Sequence, residues 1–228
     1  MPKPGFNMAA VAAAVIAVLL TPGAPAHAGY IDPTGDFLPS YTGIKGADLD
    51  VIAYDATFDG MVFHLSATLN GAIGTTAGAL YVWGVDRGAG TERFLAGTPS
   101  IGAGVKFDSA LVLRPNGTGS FIDIVGGGTS TALPTSNINI TGSTITADLP
   151  LSFAPSKGFA ATDYGFNLWP RLGVGQNSQI SDFAPDAADF KATLVPEPAS
   201  AMVFGVAIAG LAALRRRTPK RASQCAAA

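Results

Sequence analysis

Met61-Val62-Phe63-His64-Leu65-Ser66-Ala67-Thr68-Leu69 alternates without a break: Met61, Phe63, Leu65, Ala67 and Leu69 face one way, and His64, Ser66 and Thr68 the other. Successive side chains of a strand point to opposite faces, so this spacing predicts an antiparallel strand with one buried face. Asp59-Gly60 before it turns the chain back onto a strand spanning Leu49 to Asp55, and Asn70-Gly71 closes it. Working outward, Val105 to Leu113 and Gly119 to Val125 flank Asn116-Gly117, the strongest hairpin signal in the chain. Asn137 to Ile140 and Thr144 to Leu149 flank Gly142 in the same way. Leu80 to Val85, Tyr164 to Trp169 and Phe190 to Leu194 bring the total to about nine strands, and no helix-period segment of useful length separates them. The chain's 28 Gly and 16 Pro fit the turns such a fold needs. The fold class expected is all-β, an antiparallel β-sandwich of jelly-roll, immunoglobulin-like or similar type, favoured over a closed barrel because the loops are uneven in length.

Both ends depart from this pattern. Lys3 is the only charge before an apolar run from Met8 to Leu20, followed by Pro22, Gly23, Pro25 and then Ala26-His27-Ala28, an A-x-A cleavage site. Residues 1–28 read as a secretory signal peptide, so His27 carries no functional weight and the mature chain is expected to begin at Gly29. At the other end Val195-Pro196-Glu197-Pro198 precedes an uncharged run to Leu214, then Arg215-Arg216-Arg217. The prolines lack an N–H and fix φ, so the triplet is expected to be extended, with a helix beginning only after it. A helix over 199–214 is about 24 Å long, slightly under the roughly 30 Å hydrocarbon core, and spans with snorkelling. The arginines set its topology, with 215–228 as a basic cytoplasmic tail. The expected organisation is signal peptide 1–28, extracytoplasmic sandwich 29–190, stalk 191–198, transmembrane helix 199–214 and tail 215–228.

The order Pro-Glu-Pro, short apolar helix, Arg cluster, chain end closely resembles the PEP-CTERM sorting signal of exported proteins of Gram-negative bacteria, over about residues 195–217. Similar tails are also catalogued as the C-terminal segment of certain ice-binding proteins. The resemblance implies that Pro196, Glu197 and Pro198 form the recognition site of an exosortase, an integral-membrane cysteine transpeptidase-like protease. It implies export across the inner membrane by way of signal peptidase and the export machinery, and anchoring by the C-terminal helix until processing. The destination it implies is the cell surface or extracellular matrix, where such proteins are associated with exopolysaccharide and biofilm. The tail beyond the arginines, Thr218 to Ala228, is longer than usual for such signals.

Between the end segments lie 8 of the chain's 14 basic and 15 of its 16 acidic residues, a net charge of −7. That sign argues against nucleic acid or anionic lipid as a partner and suits cation binding or plain solubility. Cys225 is the only cysteine and lies in the tail, so the central region has no disulfide, no thiolate nucleophile and no cysteine ligand. His64 is its sole histidine, no G-x-S-x-G elbow accompanies it, and zinc catalysis asks for more histidines than this. The expectation is therefore no enzyme and no catalytic residues. A hydrolase built on paired carboxylates is the third reading, thinly supplied because Glu92 is the only glutamate before the tail.

Binding chemistry has more to draw on. Asp32-Pro33-Thr34-Gly35-Asp36 and Gly46-Ala47-Asp48-Leu49-Asp50 put four carboxylates, Asp32, Asp36, Asp48 and Asp50, in loop-like sequence ahead of a strand. Ca²⁺ takes oxygen ligands from such loops, while Asp before Pro or Gly is also what a tight turn wants. Ca²⁺ is thus the one cofactor with residues to hold it, though the spacing is not that of an EF-hand. Trp83 and Trp169 read either as sugar-stacking platforms or as core residues with a locally satisfied indole N–H. A single T-x-T at Thr144 to Thr146 does not make a repeat, Gly126 to Thr131 reads as a flexible loop, and Asp86, Arg87, Glu92 and Arg93 read as an exposed loop with weak local ion pairs. The principal expectation is a structural or adhesive surface component; a carbohydrate- or Ca²⁺-binding module is its alternative.

Overall fold

A computed structural model describes residues 29–195. Within them the chain forms two six-stranded sheets and no helix beyond 3₁₀ turns of three or four residues. The strands are β1 (Tyr30–Ile31), β2 (Val51–Phe58), β3 (Val62–Leu69), β4 (Ala79–Asp86), β5 (Ser109–Leu113), β6 (Gly119–Asp123), β7 (Thr129–Leu133), β8 (Ile138–Thr141), β9 (Thr144–Pro150), β10 (Gly165–Leu172), β11 (Phe190–Lys191) and β12 (Thr193–Leu194). The first sheet runs β1-β2-β3-β9-β8, with β12 also on β2; the second runs β11-β10-β4-β5-β6-β7. All pairs are antiparallel except β12 with β2. Among the described residues no helix is long and apolar enough to cross a membrane. The expected signal peptide, transmembrane helix and Pro-Glu-Pro triplet lie outside them.

Between the sheets, Phe63, Leu65, Ala67 and Leu69 of β3 meet Tyr81, Trp83 and Val85 of β4 and Leu111 and Leu113 of β5, all essentially inaccessible. The alternation in β3 is therefore the core face read from sequence. Met61 is the exception: it lies just ahead of the strand and is 76 % exposed. β4 and β10 do not alternate, because the second sheet is covered on its outer face too. A second apolar cluster sits there, with Val82, Val112 and Trp169 under Phe94, Val105, Phe107, Ile180 and Phe183 from the long connections. A strand buried on both faces reads as a continuous apolar run, as in Leu80-Tyr81-Val82-Trp83-Gly84-Val85. Gly84 is required by close approach: a Cβ there would run into the indole ring of Trp169.

Three expectations need correction. Gly126 to Thr131 is not loop throughout: from Thr129 the chain forms edge strand β7, in register with β6 from Asp123↔Thr129 to Gly119↔Leu133. Its threonines and serine are exposed, so no apolar alternation marked it. Residues 191–195 are not stalk: Lys191 pairs with Gly165, Thr193 with Thr57 and Leu194 with Phe58, and the Val195 N–H bonds the Phe58 carbonyl at 2.9 Å. The strand expected over Phe190 to Leu194 is present as two short strands, β11 and β12, one on each sheet, and it overlaps the expected stalk. Finally, Arg87 is fully buried rather than in an exposed loop. Its Nε donates to Asp108 at 2.7 Å, Nη2 to Asp123 at 2.6 Å and Nη1 to the Pro155 carbonyl at 3.1 Å, while its own N–H donates to Asp108 at 2.7 Å.

Candidate metal centre

The amino-terminal segment leaves β1 and is fixed at once, because the Asp32 N–H bonds the Ile52 carbonyl at 3.0 Å and the Gly35 N–H reaches both carboxylate oxygens of Asp50 at 3.0 Å. Gly35 has φ +82°, a left-handed turn that returns Asp36 towards Asp32. The segment is fixed again where the Leu38 N–H bonds the Ser181 carbonyl at 2.8 Å. Ser181 in turn donates its hydroxyl to Leu49 and Pro170 carbonyls at 2.7 and 2.9 Å. The next residue, Asp182, is fully buried and accepts from the Val51 N–H at 2.9 Å and its neighbour Phe183 N–H at 2.7 Å.

These anchors bring Asp32, Asp36 and Asp182 together, with one carboxylate oxygen from each lying within 4.8 Å of the others. Burial drives the Asp32 carboxyl up to about 7, and the charges of Asp36, Asp186 and Asp50 add to it. Burial likewise lifts Asp182 to about 8 against the two N–H bonds that oppose the shift, with Asp32 and Asp36 adding to it. Burial also raises Asp36, with the charges of Asp186 and Asp50 adding to it. Tyr54, whose ring stacks on Tyr30 at 5.3 Å, is pushed up to about 12 by burial and by the Asp32 charge.

Of the four aspartates the sequence singled out, Asp32 and Asp36 are in the cluster. Asp50 is behind it, orienting Gly35 and accepting from Asn70 Nδ2 at 3.0 Å. Asp48 is not a member. Its carboxylate accepts from the Thr76 N–H at 2.9 Å, Thr76 Oγ1, Tyr81 Oη at 3.1 Å and the Gly74 N–H at 3.2 Å. Those bonds hold Asp48 below the ordinary carboxylate value although burial works the other way. Asp182 lies some 150 residues further on, and only tertiary structure places it here. Its one sequence signal is Ser181-Asp182 in a loop rich in acid, Asp182 to Asp189.

The tryptophans are core. Trp83 is inaccessible, although its indole N–H lacks the expected local acceptor, and Trp169 meets Phe94 edge-on at 5.0 Å and Phe107 at 4.8 Å, so neither presents a ring face to a sugar. An apolar groove of about 630 Å³ opens beside Met61, Leu151, Pro155, Phe159 and Tyr164 without a carboxylate, histidine or lysine in its wall.

His64 faces solvent, as its place in the alternation predicts, and lies opposite Asp148 of β9. Its Nδ1 is 2.7 Å from Asp148 and its Nε2 3.2 Å from Asp59. Partial burial works to lower its pKa, but the bonds and charges of Asp148 and Asp59 outweigh this and hold it above the ordinary histidine value. A raised histidine stabilises the fold below its unfolded pKa, and that contribution disappears as pH rises through the folded value, weakened here by solvent. Following the imidazole protons by NMR, Asp148→Asn is expected to lower the midpoint; an unchanged midpoint would show that the pair is not coupled.

The chain matches no family model, no curated protein and no solved structure.

Proposed function

We propose that this chain is an exported surface or matrix protein of a Gram-negative bacterium, with a non-enzymatic sandwich as its structural or adhesive outer domain. The C-terminal apolar segment holds it at the inner membrane until an exosortase processes it at Pro196-Glu197-Pro198, in the setting of exopolysaccharide. The observation that supports this reading is how far the sheet carries the chain: among the described residues the last backbone bond is from the Val195 N–H to Phe58, and Pro196 is the next residue in sequence. A proline-bounded triplet, expected to be extended and following a folded domain in sequence, is what a membrane-face protease can read. The alternative of a sugar-stacking module is weakened by the burial of Trp83 and Trp169. A carboxylate hydrolase is weakened because Asp32 and Asp182 are buried and stand outside the apolar groove.

The test is processing. In a host with a matching exosortase, Glu197→Ala is expected to accumulate as a membrane-bound form with its tail intact, at least tenfold over the parent on an immunoblot. Neutralising Arg215, Arg216 and Arg217 should instead disturb topology while leaving the triplet readable. If Glu197→Ala is trimmed and released like the parent, the reading fails.

A further inference from the structure

Asp32 is only 6 % exposed, and its Oδ2 is buried without a hydrogen-bond donor; Oδ1 of Asp36 is in the same state. Each oxygen of Asp182 has one backbone N–H and keeps a lone pair for another partner. The charges of Asp36, Asp186 and Asp50 all bear on Asp32, and all are negative. Carboxylates gathered out of water need a proton or a cation to offset their charge. The set is all oxygen, which suits a hard ion; softer metals ask for imidazole or thiolate. Oxygens 2.3–2.6 Å from one Ca²⁺ lie at most about 5 Å apart, and these three fall within 4.8 Å. Asp186, exposed on the rim, and water can complete the shell.

We propose that Asp32, Asp36 and Asp182 ligate one Ca²⁺ that clasps the segment after β1, in the first sheet, to the connection between β10 and β11, in the second. The site does not depend on how the C-terminus is processed. Burial alone gives each carboxyl a reason to keep its proton, so the rival is a proton-sharing cluster, and the two differ in what Ca²⁺ does.

The experiment is thermal unfolding and calorimetric titration of the full chain in mild detergent, with CaCl₂, MgCl₂ or chelator. At a hundred times Kd, Ca²⁺ is expected to raise Tm by about 5–10 °C with one ion per chain. Asp36→Asn, at a partly exposed position, and Asp182→Asn should abolish the shift; Asp163→Asn, which loses only the surface bond from Lys191, should keep it. Should Asp182→Asn fail to fold, Asp36→Asn decides. The proposal is overturned if 10 mM Ca²⁺ moves neither Tm nor heat, if Asp36→Asn retains the whole shift, or if Mg²⁺ produces as large a shift as Ca²⁺. None of these outcomes bears on whether Glu197→Ala is processed.

Discussion

Arg87→Ala is expected to cost about 3–5 kcal/mol of stability, measured as a fall in the urea midpoint at unchanged slope. The guanidinium and Asp108 are both fully buried, and Asp123 is largely so. Removing the arginine leaves the Asp108 carboxylate with two backbone N–H partners, Arg87 and Ala89, and the Ser109 hydroxyl, but no cation. It also frees the Pro155 carbonyl and strips Asp123 of its shorter ion pair, leaving Lys157 at 3.3 Å. Arg87→Lys is expected to recover little, because three separate acceptors are reached through three nitrogens of a planar fork that a single ammonium cannot imitate. A loss below 1 kcal/mol for Arg87→Ala would mean that water enters and replaces the guanidinium.

Asp48→Ala should be comparably severe, about 3–5 kcal/mol, for the opposite reason: the residue removed is an acceptor, and of its four donors only the Gly74 N–H keeps another, Tyr81 Oη at 3.2 Å. Thr76 N–H and hydroxyl, Tyr81 Oη and Gly74 N–H all converge on it, so the loop from 70 to 78 loses its tie to the 3₁₀ turn Ala47–Leu49. Because those bonds depress the carboxyl, its contribution is present above about pH 4, the unfolded value, and is lost as pH falls through the lower folded one. Asp48→Asn keeps one acceptor oxygen and should fall between the parent and Asp48→Ala, with the acid-side decline reduced. If Asp48→Asn shows the full acid-side decline of the parent, another carboxylate is responsible.

How far the sequence could be read depended on whether a signal was local. β3, the hairpin of β8 and β9 about Gly142 and the turn at Asn116-Gly117 each carry their instructions within a dozen residues, and each is in the structure. β7 carries none, being polar and exposed, and the strand read over Phe190 to Leu194 gives no sign that it divides between the two sheets as β11 and β12. The acidic opening contains two members of the cluster, Asp32 and Asp36, but mixes two jobs that composition cannot separate. Asp32 and Asp36 differ from Asp48 only in what tertiary structure brings to them, unpartnered oxygens in one case and four donors in the other. Trp83 and Trp169, which the strand pattern already favours as core over sugar platforms, are core because both faces of β4 and β10 are covered. Arg87 was misread because a charge next to Gly88-Ala89-Gly90 looks like loop, whereas its partners Asp108 and Asp123 lie 21 and 36 residues away.

The pairing of late strands with early ones sets an order of events for a chain that emerges N-terminus first. Hairpins such as β2–β3 and β5–β6 can close as they appear. Yet β4 must wait for β10, β3 for β9, and β2 for Thr193 and Leu194 before either sheet has its neighbours. Such separations raise contact order and slow folding, because loop closure precedes the contacts that reward it. A nascent chain therefore cannot complete either sheet until almost its last described residue is out. Only then does it commit, within a few residues of Pro196.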